Sequence, residues 1–160
     1  MANALPVAAP GVDAGARLET CALPGEAQSV QQARRFVRQV LARWDRGAYE
    51  EAGSLVVSEL VTNAVLHART DVVVELVDTA DGVLLAVVDD ARSLPVVRRH
   101  GRDAGTGRGL WLLEQYSLAH GVDVTRPGDG KAVWALLRPE EEGEPDDALL
   151  AGWLDAVDGL

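Results

Sequence analysis

Apolar and polar positions follow two different rhythms along this chain, and the switch between them marks its elements. Val30, Ala33, Phe36, Val37, Val40, Leu41 and Trp44 recur at three- and four-residue spacing, with Arg34, Arg35, Arg38 and Arg43 on the other side. That period predicts an amphipathic helix whose arginines form a solvated face. A Pro24-Gly25 turn precedes it, and Ser29 with Gln32 has the spacing of a capping box. After a break at Asp45-Arg46-Gly47, residues 49–67 contain no proline and only Gly53 as glycine, which predicts a second helix. The rhythm then shortens. Residues 72–77 and 83–89 are β-rich runs joined by DTADG at 78–82, the pattern of an antiparallel hairpin. Residues 92–106 have no clear period and carry Pro95, Gly101 and Gly105, so they read as a long mobile loop. A helix over 110–120 ended by Gly121 is expected next, then strands at 122–125 and 131–137 around PGDG at 127–130. A short strand at 17–23 opens the series.

The predicted order is strand, helix, helix, hairpin, loop, helix, hairpin. It favours a two-layer α/β (α+β) sandwich, with helices on one face of a mixed, mostly antiparallel sheet. A doubly wound parallel sheet needs regular strand-helix alternation, which is missing. Residues 1–16, rich in Ala, Pro and Gly, read as a flexible leader, and 17–138 as the folded domain. Residues 139–160 form an acidic tail in which Leu149, Leu150, Trp153, Leu154 and Val157 lie at helical spacing. Such a helix either docks on its own domain or binds something else.

Composition narrows the function. The chain has 160 residues, 48% of them hydrophobic and 25% charged, enough for one domain with a real core. Its single cysteine, Cys21, and three scattered histidines supply neither a disulfide framework nor a metal-ligand cluster, so a reducing, cytoplasmic setting is expected. No apolar run approaches the roughly 18 residues of a membrane span, and no membrane partner is expected. The net charge of −10 is concentrated in the tail: residues 139–160 hold eight of the 25 acids and none of the 15 bases, leaving 17 acids against 15 bases before them. A near-neutral body lacks the broad basic face that phosphate-backbone binding demands, so no direct nucleic-acid contact is expected. Fourteen of the 15 bases are arginine and Lys131 is the only lysine, which argues against a lysine-dependent phosphate loop.

Three features carry chemistry. Glu59, Asn63 and His67 are spaced by four in the second helix and lie within roughly 80° of one another, with Leu55, Val56 and Leu66 on or beside the same sector. A carboxylate and an amide set among apolar residues are costly to desolvate unless compensated, and a hydrated metal ion with a nucleotide is one such partner. Solvent-facing or mutually bonded helix residues are the other reading. Asp89, at the end of an apolar strand, is placed to accept a hydrogen bond from an exocyclic amine at the sheet edge, or is an ordinary turn acid. Gly105, Thr106, Gly107, Arg108, Gly109 and Leu110 form a glycine-rich run opening a helix, where backbone N–H groups can receive phosphate or simply provide a hinge.

Taken together, the boxes VSELVTNAVLHA at 57–68, DDARSLP at 89–95, GRGLWLL at 107–113 and GKAVW at 130–134 resemble the ATP site of the histidine-kinase-like (Bergerat) ATPases. Within them the chain looks like the small bacterial anti-sigma-factor serine/threonine kinases and their actinobacterial regulatory relatives, over about residues 18–137. The resemblance implies ATP and Mg²⁺ as cofactors, with Asn63 coordinating the metal that bridges the phosphates and Glu59 as general base. It implies that Asp89 binds the adenine amino group and that Gly105, Gly107 and Gly109 admit the phosphates, with Thr106 and Arg108 as extra contacts. Residues 96–104 would be a lid, where Arg98, Arg99 and Arg102 either offset phosphate charge or are merely solvated. The implied partners are an anti-sigma-factor antagonist, a sigma factor, or both, and a homodimer. A non-catalytic ATP- or ADP-holding interaction module is the alternative. Two departures stand out: residues 90–95 lack the glycines usual after the aspartate, and Ala132 stands where the family usually has a Thr that supports the adenine contact, a loss of order 1 kcal/mol.

Overall fold

The computed structural model describes residues 15–67, 70–89, 107–124 and 130–140, with residues 67 and 107–110 by backbone only. Five strands, β1 (Arg17–Leu23), β2 (Val72–Thr79), β3 (Gly82–Asp89), β4 (Ser117–Asp123) and β5 (Lys131–Leu137), form one sheet in the order β1-β2-β3-β5-β4. All four pairings are antiparallel, so the described part of the sheet holds none of the parallel pairing that a mixed sheet implies. Helices α1 (Ser29–Arg43), α2 (Glu50–His67) and α3 (Gly107–Tyr116) complete an α+β fold.

Strand parity shows which face the helices cover. Val72, Val74 and Leu76 of β2, Val83, Leu85 and Val87 of β3, and Ala135 and Leu137 of β5 join one core with α1 and α2. From α1 come Ala33, Val37, Val40 and Leu41, the positions expected from its period. Leu85 is fully buried at its centre. Leu85→Ala should therefore cost about 3 kcal/mol, read as a lower urea midpoint at unchanged slope.

Local chemistry sets the boundaries. Ser29 is the first helical residue rather than a cap: its hydroxyl donates backwards to Pro24 O at 2.6 Å, and the N-cap Gln28 makes no side-chain cap bond. The expected capping box is therefore not formed. α1 ends in a Schellman arrangement, with Arg46 N donating to Leu41 O at 2.8 Å and Asp45 N to Ala42 O at 3.2 Å. Asp45 occupies the left-handed position at φ 56°. Glycine has no Cβ penalty there, so Asp45→Gly should raise stability by roughly 0.5–1 kcal/mol in thermal unfolding. A short 3₁₀ turn, Gly47–Tyr49, leads into α2. The hairpin is tighter than expected, since Thr79 pairs with Gly82 across a two-residue turn. The Thr79 hydroxyl donates to Gly82 O at 2.8 Å, and Gly82 has φ 130°, a conformation that L side chains rarely adopt.

The largest departure lies after α3. The helix starts at Gly107, three residues earlier than expected, and stops at Tyr116, whereas Ser117–Asp123 is an edge strand. Ser117 Oγ bonds back to Leu113 O as the helix ends, and pairing with β5 then satisfies the backbone that a longer helix would have satisfied internally. Gly121 thus does not terminate a helix. It lies beneath the Trp134 indole, where a Cβ would sit 2.8 Å from Cζ2 and 3.0 Å from Cε2. Gly121→Ala should lower stability by about 1–3 kcal/mol, and adding Trp134→Leu should recover part of that loss in a double-mutant cycle.

Candidate functional site

The two ends of the sheet are chemically different. At one end is the β2–β3 turn; at the other, Val72, Asp89 and Lys131 stand side by side, Asp89 being registered against both neighbours. Four residues, 68–71, separate α2 from β2, so the C-terminal half of α2 lies at the Asp89 end. α3 passes into β4 without a connection, and Ser117 pairs with Leu137 at the far end. Its ten residues span about 15 Å and pack against α2 and β4, so the helix lies back along the sheet and its N-terminus is on the Asp89 side as well. Topology thus gathers three separate sequence boxes at one end of the sheet.

Parity completes the placement. Asp89 follows Val83, Leu85 and Val87, and Lys131 precedes Val133, Ala135 and Leu137, so both lie on the helix side. Asp89 is buried, and its Oδ2 is 3.8 Å from Lys131 Nζ, with the two side chains only 5% and 11% exposed. Burying such a pair is tolerable because each charge answers the other. Lys131 had no role in the sequence reading, although as the chain's only lysine, opening a strand, it carried a signal. Ala132 belongs to the other face, paired with Val88 and Asp123. The residue facing Asp89 across the ladder is therefore Lys131, and the expected loss of an adenine contact at Ala132 does not follow.

On α2, Glu59 is half-buried and Asn63 exposed, and Asn63 Nδ2 donates to Glu59 Oε1 in a long bond of 3.4 Å. The stripe is not wholly embedded: Leu55 and Val56 are buried, but Leu66 is 64% exposed. The polar pair thus stands where the core opens outward. Burial pushes the Glu59 carboxyl above the ordinary glutamate value, and the Asn63 bond only partly offsets it. The exposed amide has a second, oxygen, function left for a ligand.

Gly107, Arg108, Gly109 and Leu110 form the first turn of α3 rather than a loop before it, so their backbone N–H groups include the unpaired donors of a helix N-terminus. Gly105, Thr106, residues 90–95 and the expected lid with Arg98, Arg99 and Arg102 lie outside the described residues, as does the His67 side chain. Among the described residues no group of three or more His, Cys, Asp or Glu could hold a metal ion. An Asn with a neighbouring carboxylate suits instead an ion that keeps its waters and takes most of its ligands from phosphate, as Mg²⁺ does.

Residues 23–137 match the family described as the histidine kinase-like ATPase domain, and the chain belongs to that family. ATP binding in a regulatory protein is the function this membership supports. No curated protein matches the chain. Among the described residues no helix is long and apolar enough to cross a membrane.

Proposed function

We propose that this protein is an anti-sigma-factor-type serine/threonine kinase, which phosphorylates a small antagonist protein in the cytoplasm and binds a sigma factor. What supports this reading is the gathering of Glu59, Asn63, Asp89 and the N-terminus of α3 at one end of the sheet in a histidine kinase-like ATPase domain. Asp89 accepts a hydrogen bond from the adenine amino group and so favours ATP over GTP. Asn63 is the residue that would hold Mg²⁺, and the first turn of α3, which follows Gly105 and Thr106 in the sequence, would receive the phosphates. Mg²⁺ held there would supply charge neutralisation at the phosphates. Glu59 accepts the proton of the substrate hydroxyl as its oxygen bonds to the γ-phosphorus and the bond to the ADP oxygen breaks. Its raised affinity for protons suits a base that must collect one.

Calorimetric titration with ATP, ADP and GTP, with and without Mg²⁺, tests the site, and transfer of labelled γ-phosphate to candidate antagonists tests the chemistry. Adenine-selective, Mg²⁺-dependent binding with transfer is expected. Binding without transfer to any partner would replace the kinase by the nucleotide-holding interaction module; no binding would overturn both.

A further inference from the structure

Buried polar groups in folded proteins are nearly always hydrogen-bonded, so a buried hydroxyl without a partner calls for one. Among the described residues two such hydroxyl oxygens stand out, Ser54 Oγ and Thr70 Oγ1. Their surroundings differ. Ser54 lies inside α2, where a turn about χ1 can bring a serine hydroxyl to the carbonyl one turn back, as Ser58 Oγ does in donating to Ser54 O at 2.7 Å. Thr70 lies in the connection between α2 and β2, in neither helix nor strand, so no ladder fixes a carbonyl beside it. The residue is half-buried, yet its hydroxyl oxygen is closed off from solvent.

Its position is held. The next residue, Asp71, accepts a hydrogen bond from Gly25 N through Oδ1 at 3.3 Å, which ties the connection to the turn before α1. Two residues beyond Thr70 is Val72, the cross-strand partner of Asp89. Thr70 Cα therefore lies within about 7 Å of Val72 Cα, and Val72 Cα about 5 Å from that of Asp89. Behind Thr70 in the chain, α2 carries Glu59 and Asn63. The unpartnered hydroxyl thus stands at the Asp89 end of the sheet, on the connection that joins the helix of Asn63 to the strand beside Asp89.

The chemistry of a bound base fits it. An ionised Asp89 can only accept, and Lys131 Nζ, 3.8 Å from it, answers its charge. Adenine that gives its amine to Asp89 also carries a ring-nitrogen acceptor on each side of that amine, and enclosing an acceptor without a donor is costly. A threonine hydroxyl can rotate to supply the donor. We infer, resting on the nucleotide site proposed above, that Thr70 Oγ1 is a second contact to the base, donating to an adenine ring nitrogen that flanks the amine held by Asp89. ATP then satisfies a hydroxyl that the free protein leaves unpaired.

Thr70→Val keeps the shape and removes the hydroxyl. In calorimetry its Kd for ATP should rise roughly 3- to 10-fold, and Thr70→Ser should restore wild-type affinity. The melting midpoint of nucleotide-free Thr70→Val should be equal or higher, because a buried unpaired group is gone. With 1-deaza-ATP and 7-deaza-ATP, in which carbon replaces one or the other ring nitrogen, the penalty of Thr70→Val should vanish for one of the two. Unchanged ATP affinity in Thr70→Val, in a protein whose binding Asp89→Ala still weakens, would overturn the contact and leave the site standing. A lower midpoint with unchanged affinity would make the hydroxyl structural, and a penalty that persists with both analogues would take it off the ring; either overturns the inference. No ATP binding by the wild type would overturn the site and the contact together.

Discussion

Glu59→Gln should slow phosphoryl transfer by orders of magnitude while leaving ATP affinity within about threefold, since the substitution keeps the shape and removes only the base. General-base catalysis contributes about 10²–10⁴-fold, so single-turnover transfer of labelled phosphate should fall by that factor. Because burial raises the Glu59 pKa above the ordinary 4.5, the acid limb of the wild-type rate profile should lie above that value and should vanish in the variant. Stability supplies the control. A carboxyl whose pKa is raised on folding binds its proton more tightly in the folded state. Its contribution to stability is therefore present at low pH and is lost as pH rises from 4.5 through the folded value. Gln avoids that loss, so the variant should be at least as stable as the wild type at neutral pH. A slow enzyme that is also unstable would point to structural damage, and undiminished transfer would remove Glu59 as the base.

The helical period of α1 and the hairpin of β2 and β3 were legible because each element buries one continuous side, and burial imposes period on sequence. The boundary between α3 and β4 was not, because the residues after Tyr116 are decided by pairing with β5, whose Leu137 lies 20 residues beyond its partner Ser117 in sequence. Tertiary hydrogen bonding overrode a local helical pattern there. Gly121 misled for the same reason: a glycine needed to admit an indole looks, in one dimension, like a glycine that ends a helix. The pairing of Asp89 with Lys131 was equally out of reach, since it depends on strand order, and a shift of one residue would have put the lysine on the other face. That shift is what separated Ala132 from the role given to it. Glu59 and Asn63 could be placed together from spacing alone, because both lie on one helix.

Asp89→Ala is expected to cost both binding and stability, and the two losses can be separated. Removing an ionised acceptor from a hydrogen bond to the adenine amine is worth about 1.5–3 kcal/mol, or roughly 10- to 150-fold in Kd for ATP. The same carboxylate lies 3.8 Å from the buried Lys131 ammonium. Deleting one member of a buried pair should therefore lower stability by about 3 kcal/mol. Lys131→Met breaks the pair from the other side without touching the proposed adenine contact. It should lower stability while leaving the ratio of ATP to GTP affinity unchanged in calorimetry on protein verified as folded. Asp89→Asn should keep more of the stability yet lose the preference for adenine, because an amide can present a donor to guanine where the carboxylate could only accept. If Lys131→Met erased selectivity and Asp89→Asn preserved it, the lysine and not the aspartate would be reading the base.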